Sequence, residues 1–591
     1  MIAKSFSLML ELINSCENAY RNLRISESER EDEFHFSSVD ELYFVFTSHP
    51  TESRSMDIYC VFQEIEKCLL GELVSGNNGA GRLKELLALA WKLNLSKSEK
   101  PTVDDEIKYI FSIVLREEIL DSLVQLSQNS GRPIFFRSWS GGDKDGHPGV
   151  GQTQMKLSFQ FSRGKISSYI ANCLDQEANE RGWVARGSSG KHKDIATEDL
   201  KKINALKKEL GRLKLLKEGD GGKVQSWIKK YRDYLSSKKN ASTNLQKIDK
   251  LLHLFPGLVV PLELRESSEI FSEKTANAKK TILSMFEYLF KISKGALSRH
   301  YVRGVVVSHT EKAEHLINAF SLLKTASNGA AMPMVIPLFE RKEALVDAEK
   351  ILKNIFLNKQ FLKSIKNDWN GRMELMLGYS DSAKEVGVLS SRILIAKSVH
   401  QMEKLLFKHK ITPIFFHGSG GSIARGGGSL SDQVSCWPKS AIQHYKATIQ
   451  GEMVARSFSS SQVFERQVKT ILSRHPKKAL RWNQEVEKFC LGVENQYRTL
   501  VADDDFIEFL EKSTPYLFLK ELRMGSRPVK RKKLGSIQDL RAIPWVLCWT
   551  QTRLLIPTWF GVGSAWKALD GKEKARLKVL FQENPLLSTY L

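Results

Sequence analysis

Ile411-Thr-Pro-Ile-Phe-Phe-His-Gly-Ser-Gly-Gly-Ser-Ile-Ala-Arg-Gly-Gly-Gly428 reads as a short buried strand giving way to a glycine-rich turn. Ile411 to Phe416 is apolar, β-branched and aromatic. From Phe415 to Gly428, six of the fourteen residues are glycine, and the strong side-chain chemistry rests with His417 and Arg425. Glycine lets backbone N–H groups approach a ligand, because no Cβ holds it away. N–H groups turned inward beside an arginine form a cradle for an anion. Flexible linkers share this composition. A linker, however, has no reason to lie between a buried strand and an Ile-Ala-Arg turn.

The same pattern recurs along the chain. Leu42 to Thr47 closes on Ser48-His49-Pro50-Thr51-Glu52, and Ile134 to Trp139 runs into Gly141-Gly-Asp-Lys-Asp-Gly-His-Pro148. Leu258 to Leu264 ends at Arg265, Gly304 to Ser308 at His309, and Met334 to Phe339 at Glu340. Met373 to Leu377 ends at Gly378-Tyr-Ser-Asp381, and Tyr445 to Ile449 at Gln450-Gly451-Glu452. With the His417 strand these are eight candidate strands, separated by helical stretches, each handing over to a polar residue. Strands separated by helices argue for a parallel sheet. Eight such units argue for a closed (β/α)8 TIM-type barrel, whose active site lies at the C-terminal ends of the strands.

All 591 residues are read as one barrel domain, α/β in its core and mostly α by content. Residues 1–40 are an N-terminal helical segment. Residues 53–130 and 151–255 are helical insertions after the first two strands, and 451–591 form a C-terminal helical segment. Leu200, Ile203, Leu206, Leu210 and Leu213 share one helix face, and Thr197 is a candidate cap for that helix.

Composition narrows the setting. Hydrophobic content is 42% and the formal net charge is +22, which suits anionic partners, small or large. The seven cysteines are scattered with no C-x-x-C pair. That excludes a zinc or disulfide framework and fits a reducing compartment. No apolar run approaches the ~18 residues of a membrane span. Glu11 breaks the apolar patch at the N-terminus, which reads as an amphipathic helix rather than a signal peptide. The expected setting is cytoplasmic, without a membrane. Lysines of residues 151–255 and the run Lys530-Arg-Lys-Lys533 invite a nucleic-acid reading. A solvated helix face looks the same, so nucleic acid is not the favoured partner.

The strand ends and the C-terminal segment supply the chemistry. Two histidines, His49 and His417, have glycine or proline neighbours. Two carboxylates, Glu340 and Asp381, come from adjacent strands, with Lys384 one turn beyond Asp381. Arg265, Arg425, Arg527 and Arg541 complete the set. Two carboxylates suit a hard cation with open water sites, Mg²⁺ or Mn²⁺. Arginines around it suit a phosphate and a carboxylate. Neutral histidines move protons near pH 7. The residues therefore describe a metal-assisted site for a small phosphorylated anion.

FTSHPTE, SWSGGDKDGHP, LELRESS, VIPLFE, GYSDSAKEVG, FFHGSGGSIARGGG, TIQGE, GSRP and LRAIPWVLCWTQTR resemble, in order, the motifs of the phosphoenolpyruvate carboxylase family, over about residues 41 to 567. The resemblance implies a carboxy-lyase that makes oxaloacetate and phosphate from phosphoenolpyruvate and bicarbonate, supplying the tricarboxylic acid cycle. Bicarbonate attacks phosphorus, giving carboxyphosphate and an enolate. Carboxyphosphate releases CO2, which the enolate attacks. By motif position, His49 resembles the catalytic base and Lys384 the catalytic lysine. Glu340 and Asp381 resemble the ligands of Mg²⁺ or Mn²⁺. Arg265, Arg527 and Arg541 resemble the arginines around substrate, and His417 a catalytic-site histidine near CO2. Arg425 resembles the glycine-loop arginine, which also links to an aspartate inhibitor site. A homo-oligomer is expected.

Two departures qualify the resemblance. The family has arginine two residues after the glycine-loop histidine, where this chain has Ser419. It also continues into a helical segment that completes the aspartate pocket, where this chain reaches Leu591. The expectations are reduced turnover, insensitivity to aspartate, and exposed apolar surface around residues 545–591. The alternatives are a catalytically weakened or dead homologue acting as a partner subunit, and a basic RNA-associated protein built on the same barrel.

Overall fold

Eight parallel strands close into a barrel in sequence order: β1 Glu41–Phe46, β2 Ile134–Ser138, β3 Leu262–Ser267, β4 Val302–Ser308, β5 Met334–Phe339, β6 Arg372–Leu377, β7 Thr412–His417 and β8 His444–Ile449. The computed structural model describes residues 2–28, 39–47, 55–75, 79–97, 99–273, 276–419, 437–473, 484–519, 521, 537, 540–583 and 587. Closure comes from β1 pairing with both β2 and β8, for example Phe44 with Phe136 and with Ala447. By content the described chain is mostly helix, so the fold is a (β/α)8 barrel with helical additions.

Strand alternation sorts the side chains into two layers. Outside, Phe44 packs edge-on against Phe136, Phe458 and Phe464. The last two belong to the segment after β8, so that segment is anchored on the outer face of β1 and β2. Inside, the barrel is unusually ionic for an architecture normally filled by branched aliphatics. Lys446 on β8 reaches Glu263 on β3 at 2.5 Å and Glu374 on β6 at 2.6 Å. Arg303 on β4 meets Glu374 at 3.1 Å. Nearer the N-terminal end, Glu41 accepts from Tyr43 and Arg372 at 2.8 and 2.9 Å. Burial opposes its ionisation, yet the His444 hydrogen bond and Arg372 pull Glu41 down to about 2.

Between β2 and β3 lie helices at Gln152–Gly187, Lys191–Arg212, Asp220–Ser236 and Thr243–Leu254. They are pinned to the barrel by buried Arg163, which reaches Asp220 at 2.7 Å and the Gly257 carbonyl at 2.7 Å. Ile203, Leu206, Leu210 and Leu213 are buried, as their spacing predicts. Thr197 is not a cap. The helix begins six residues earlier, at Lys191, and Thr197 donates to the Lys193 carbonyl from within it.

The third strand also differs from expectation. It starts at Leu262 rather than Leu258 and contains Arg265 instead of ending before it. Leu258 has a left-handed φ of 53°, and Pro261 has no N–H to give a ladder. The apolar run before Leu262 is therefore a buried approach to the strand. Exposed apolar side chains do occur between residues 545 and 591, including Leu554, Leu555, Trp559 and Phe560. Among the described residues, no helix is long and apolar enough to cross a membrane. The described cysteines are free thiols.

Candidate active site

The turn after β2 is laced to the end of β3. Arg265 N–H donates to the Gly142 carbonyl, and Lys144 and Asp145 N–H both donate to the Arg265 carbonyl. Glycine at 142 makes this possible, since a Cβ there would lie 2.3 Å from the Glu263 carbonyl oxygen. The turn thereby presents two carboxylates to Arg265. Nε and Nη2 donate to the two oxygens of Asp143 at 2.6 and 2.9 Å, a bidentate pair. Asp145 lies 3.6 Å from Nη2. Burial lowers the guanidinium's pKa, but Asp143 and Asp145 outweigh it and raise it, so the charge is secure. Beneath, the guanidinium sits 5.7 Å over Trp139, which stacks on Phe416 at 5.5 Å. Lys446 lies 4.2 Å from the Phe416 ring. Arg265 thus tops a stack that ends in the barrel's ionic interior.

Glu340 follows β5 directly and is 7% exposed. Its Oε1 accepts the His309 N–H at 2.8 Å, with His309 Nδ1 at 3.3 Å. Glycine at 378 lets the end of β6 lie alongside, since a Cβ there would fall 2.3 Å from the Glu340 Cβ. Asp381 lies in the first turn of the helix Ser380–Val386. Burial raises the Glu340 carboxyl most, and Asp381 and Asp145 raise it further, to about 8. Carboxylates brought together against their own repulsion are the donor set that a hard divalent cation relieves. Glu340 and Asp381 could hold such an ion with water or substrate oxygens. Among the described residues, no three His, Cys, Asp or Glu side chains converge to enclose one without that help.

Lys384 is buried, one turn beyond Asp381. Its Nζ lies 3.3 Å from Asp381 Oδ1 and donates to the Leu540 carbonyl at 2.9 Å. Tyr497 OH donates to the Lys384 carbonyl at 2.7 Å. Leu540 is followed by Arg541, which precedes the helix Ala542–Thr552. The lysine thus ties the carboxylate turn to the C-terminal segment. Contacts link Asp381, Lys384 and Leu540, the residue before Arg541, while Arg265 and Glu340 stand toward the C-terminal ends of β3 and β5.

His417 is the last residue of β7. Phe416 points into the barrel, so its neighbour points out, toward the helices. The fully buried His417 ring sits among Tyr379, Trp437 and Tyr445, with its Nδ1 2.7 Å from the Tyr379 hydroxyl. Burial first, then Arg392, lowers its pKa to about 3 against the backbone of Ala441. Burial thus favours the neutral ring. Ser419 is also fully buried. His49, Arg425 and Arg527, together with the run Lys530 to Lys533, lie outside the described residues.

Sequence reasoning passed over Asp143, Asp145, His309 and Arg392. The first two stood in plain view as acids spaced among glycines after a strand. His309 was recognised as a strand ending but not as a partner of Glu340. Arg392 was legible as a lone charge in the run Val388 to Ala396. It is buried, with its guanidinium 4.1 Å over the Tyr379 ring.

The family model described as phosphoenolpyruvate carboxylase matches residues 4–214 and 226–591. The chain belongs to the phosphoenolpyruvate carboxylase family. It is 27% identical to a phosphoenolpyruvate carboxylase of Thermus thermophilus, over 92% of this chain and 70% of that one. It is also 27% identical to a phosphoenolpyruvate carboxylase of Vibrio parahaemolyticus, over 93% and 72%. A third, from Hahella chejuensis, is 24% identical over 96% and 74%. Phosphoenolpyruvate carboxylase relatives thus cover both helical insertions as well as the barrel.

Proposed function

We propose that this chain is a phosphoenolpyruvate carboxylase, converting phosphoenolpyruvate and bicarbonate to oxaloacetate and phosphate and feeding the tricarboxylic acid cycle. The observation that carries the reading is Lys384 bridging Asp381 and the Leu540 carbonyl, with Arg265 and Glu340 toward the C-terminal ends of β3 and β5. These residues gather cations and repelling carboxylates at the barrel mouth, as a phosphorylated carboxylate and a divalent ion require.

Arg265 binds and orients the anion. Asp143 holds its Nε and Nη2, leaving Nη1 as the nitrogen not engaged by that pair. Arg541 follows Leu540, whose carbonyl Lys384 holds, and joins Arg265 around the substrate by motif position. Glu340 and Asp381 hold Mg²⁺ or Mn²⁺, which when bound supplies Lewis-acid stabilisation of developing negative oxygen. Lys384 offsets the carboxylate charge beside it and keeps Asp381 oriented. His49 as the base, with Arg425 and Arg527 around the phosphate, follows from motif position. His417 contributes as a neutral wall close to the glycine-rich stretch. The reading carries with it a cytoplasmic homo-oligomer that works without nucleic acid.

The test is oxaloacetate formation by the purified chain, followed by coupled reduction, with Mg²⁺ and with Mn²⁺. Oxaloacetate that depends on phosphoenolpyruvate, bicarbonate and the metal is expected. A folded chain that makes none under either metal would overturn the reading in favour of a non-catalytic homologue.

A further inference from the structure

The two acids of the turn after β2 have different partners. Asp143 gives both oxygens to Arg265. Asp145 Oδ1 accepts from the Ser308 hydroxyl at 2.6 Å, and its Oδ2 lies 3.6 Å from Arg265 Nη2. Its side chain is 9% exposed. Ser308 is the last residue of β4, and the next residue, His309, donates its N–H to Glu340 at 2.8 Å. Consecutive residues at one strand end therefore hold Asp145 on one side and Glu340 on the other.

Asp145 is held beside Ser308 by the serine hydroxyl and by its own and Lys144's N–H bonds to the Arg265 carbonyl, with its φ at 37° in the left-handed region that non-glycine residues seldom adopt. Because no three such side chains converge on one point among the described residues, a direct third ligand is not the arrangement. We propose that Asp145 is a third acidic group of the divalent-cation site, acting through a water bound to the ion and orienting it. This rests on the cation site assigned above to Glu340 and Asp381. Partners of this kind, one shell out from the ion, typically change metal affinity by about 10- to 100-fold when removed.

The experiment is Mn²⁺ binding to the substrate-free full chain, followed by electron paramagnetic resonance, with the melting temperature of the metal-free protein recorded alongside. Asp145→Asn keeps an acceptor for Ser308 and removes the charge, and Mn²⁺ binding about tenfold weaker or more is expected. Asp143→Asn, whose charge is committed to Arg265, is expected to stay within threefold of the parent. Asp145→Asn binding Mn²⁺ within twofold of the parent, or both variants weakening equally, would overturn the inference. Glu340→Gln separates the two levels. If it abolishes Mn²⁺ binding while Asp145→Asn does not weaken it, the cation site stands and the role of Asp145 falls. If Glu340→Gln binds Mn²⁺ normally, the site itself is misplaced and the inference falls with it. Should Asp145→Asn fail to fold, Ser308→Ala releases the carboxylate while keeping its charge. Mn²⁺ binding about threefold weaker supports the proposal, and unchanged binding overturns it.

Discussion

Lys384 Nζ stands 3.3 Å from Asp381 Oδ1 in the same helical turn and donates to the Leu540 carbonyl 156 residues later. One ammonium therefore restrains both the carboxylate turn after β6 and the segment that carries Arg541. Lys384→Met should lower kcat/KM for phosphoenolpyruvate by ~10²-fold or more, by analogy with the loss of a preorganised charge. Lys384→Arg should not restore it, because a planar fork cannot replace a point charge shared between a carboxylate and a carbonyl. Steady-state kinetics on the two variants check this, and near-parental kcat/KM in either would contradict it.

Asp381→Asn should abolish metal-dependent turnover while leaving the fold in place. Asp381 is 43% exposed in the first turn of a helix, where losing a carboxylate costs about 0.3–1 kcal/mol. A melting temperature within a few degrees of the parent, together with lost activity under Mg²⁺ and Mn²⁺, is the expected pair of results. Normal metal dependence in the variant would move the site elsewhere.

Ser419→Arg should raise kcat/KM for phosphoenolpyruvate, with a ceiling of ~10²–10³-fold set by the value of one transition-state donor. Ser419 is fully buried, so the new side chain must extend toward the mouth to act. Unchanged kcat/KM with an unchanged melting temperature would mean that another cation already serves there.

His417 should affect acid stability. Its folded pKa of about 3 lies below the ordinary 6.5, so the unfolded chain binds the proton more readily between those values. The stability this gives is complete above pH 6.5 and is lost as pH falls toward 3. His417→Asn should flatten the stability-against-pH curve in that window, read by urea unfolding at several pH values. Any acidic limb of kcat/KM between pH 5 and 8 should stay where it is.

Lys446→Met should destabilise the fold by about 3–5 kcal/mol, because Glu263 and Glu374 would lose the cation they share inside the barrel. Replacing all three by apolar residues of similar volume should recover most of the loss. Urea unfolding of both variants distinguishes a paired network from independent charges.

The eight strands and their order were legible in the linear chain. Apolar runs that hand over to polar residues have a period and a boundary, and both are local properties of sequence. Family membership was legible too, through motifs such as GYSDSAK and RAIPW. Tertiary structure decided which way each side chain points and what it meets. His417 and Phe416 look equally suited to a barrel mouth, yet the two-residue period of a closed strand sends one inward to Lys446 and the other outward to Tyr379. Asp143 and Asp145 are two acids in one turn, and only the lacing of that turn to β3 gives the first to Arg265 and the second to Ser308. The ionic interior was invisible for the same reason. Glu263, Glu374 and Lys446 are far apart in the chain, and closure of the barrel is what brings them within hydrogen-bonding distance.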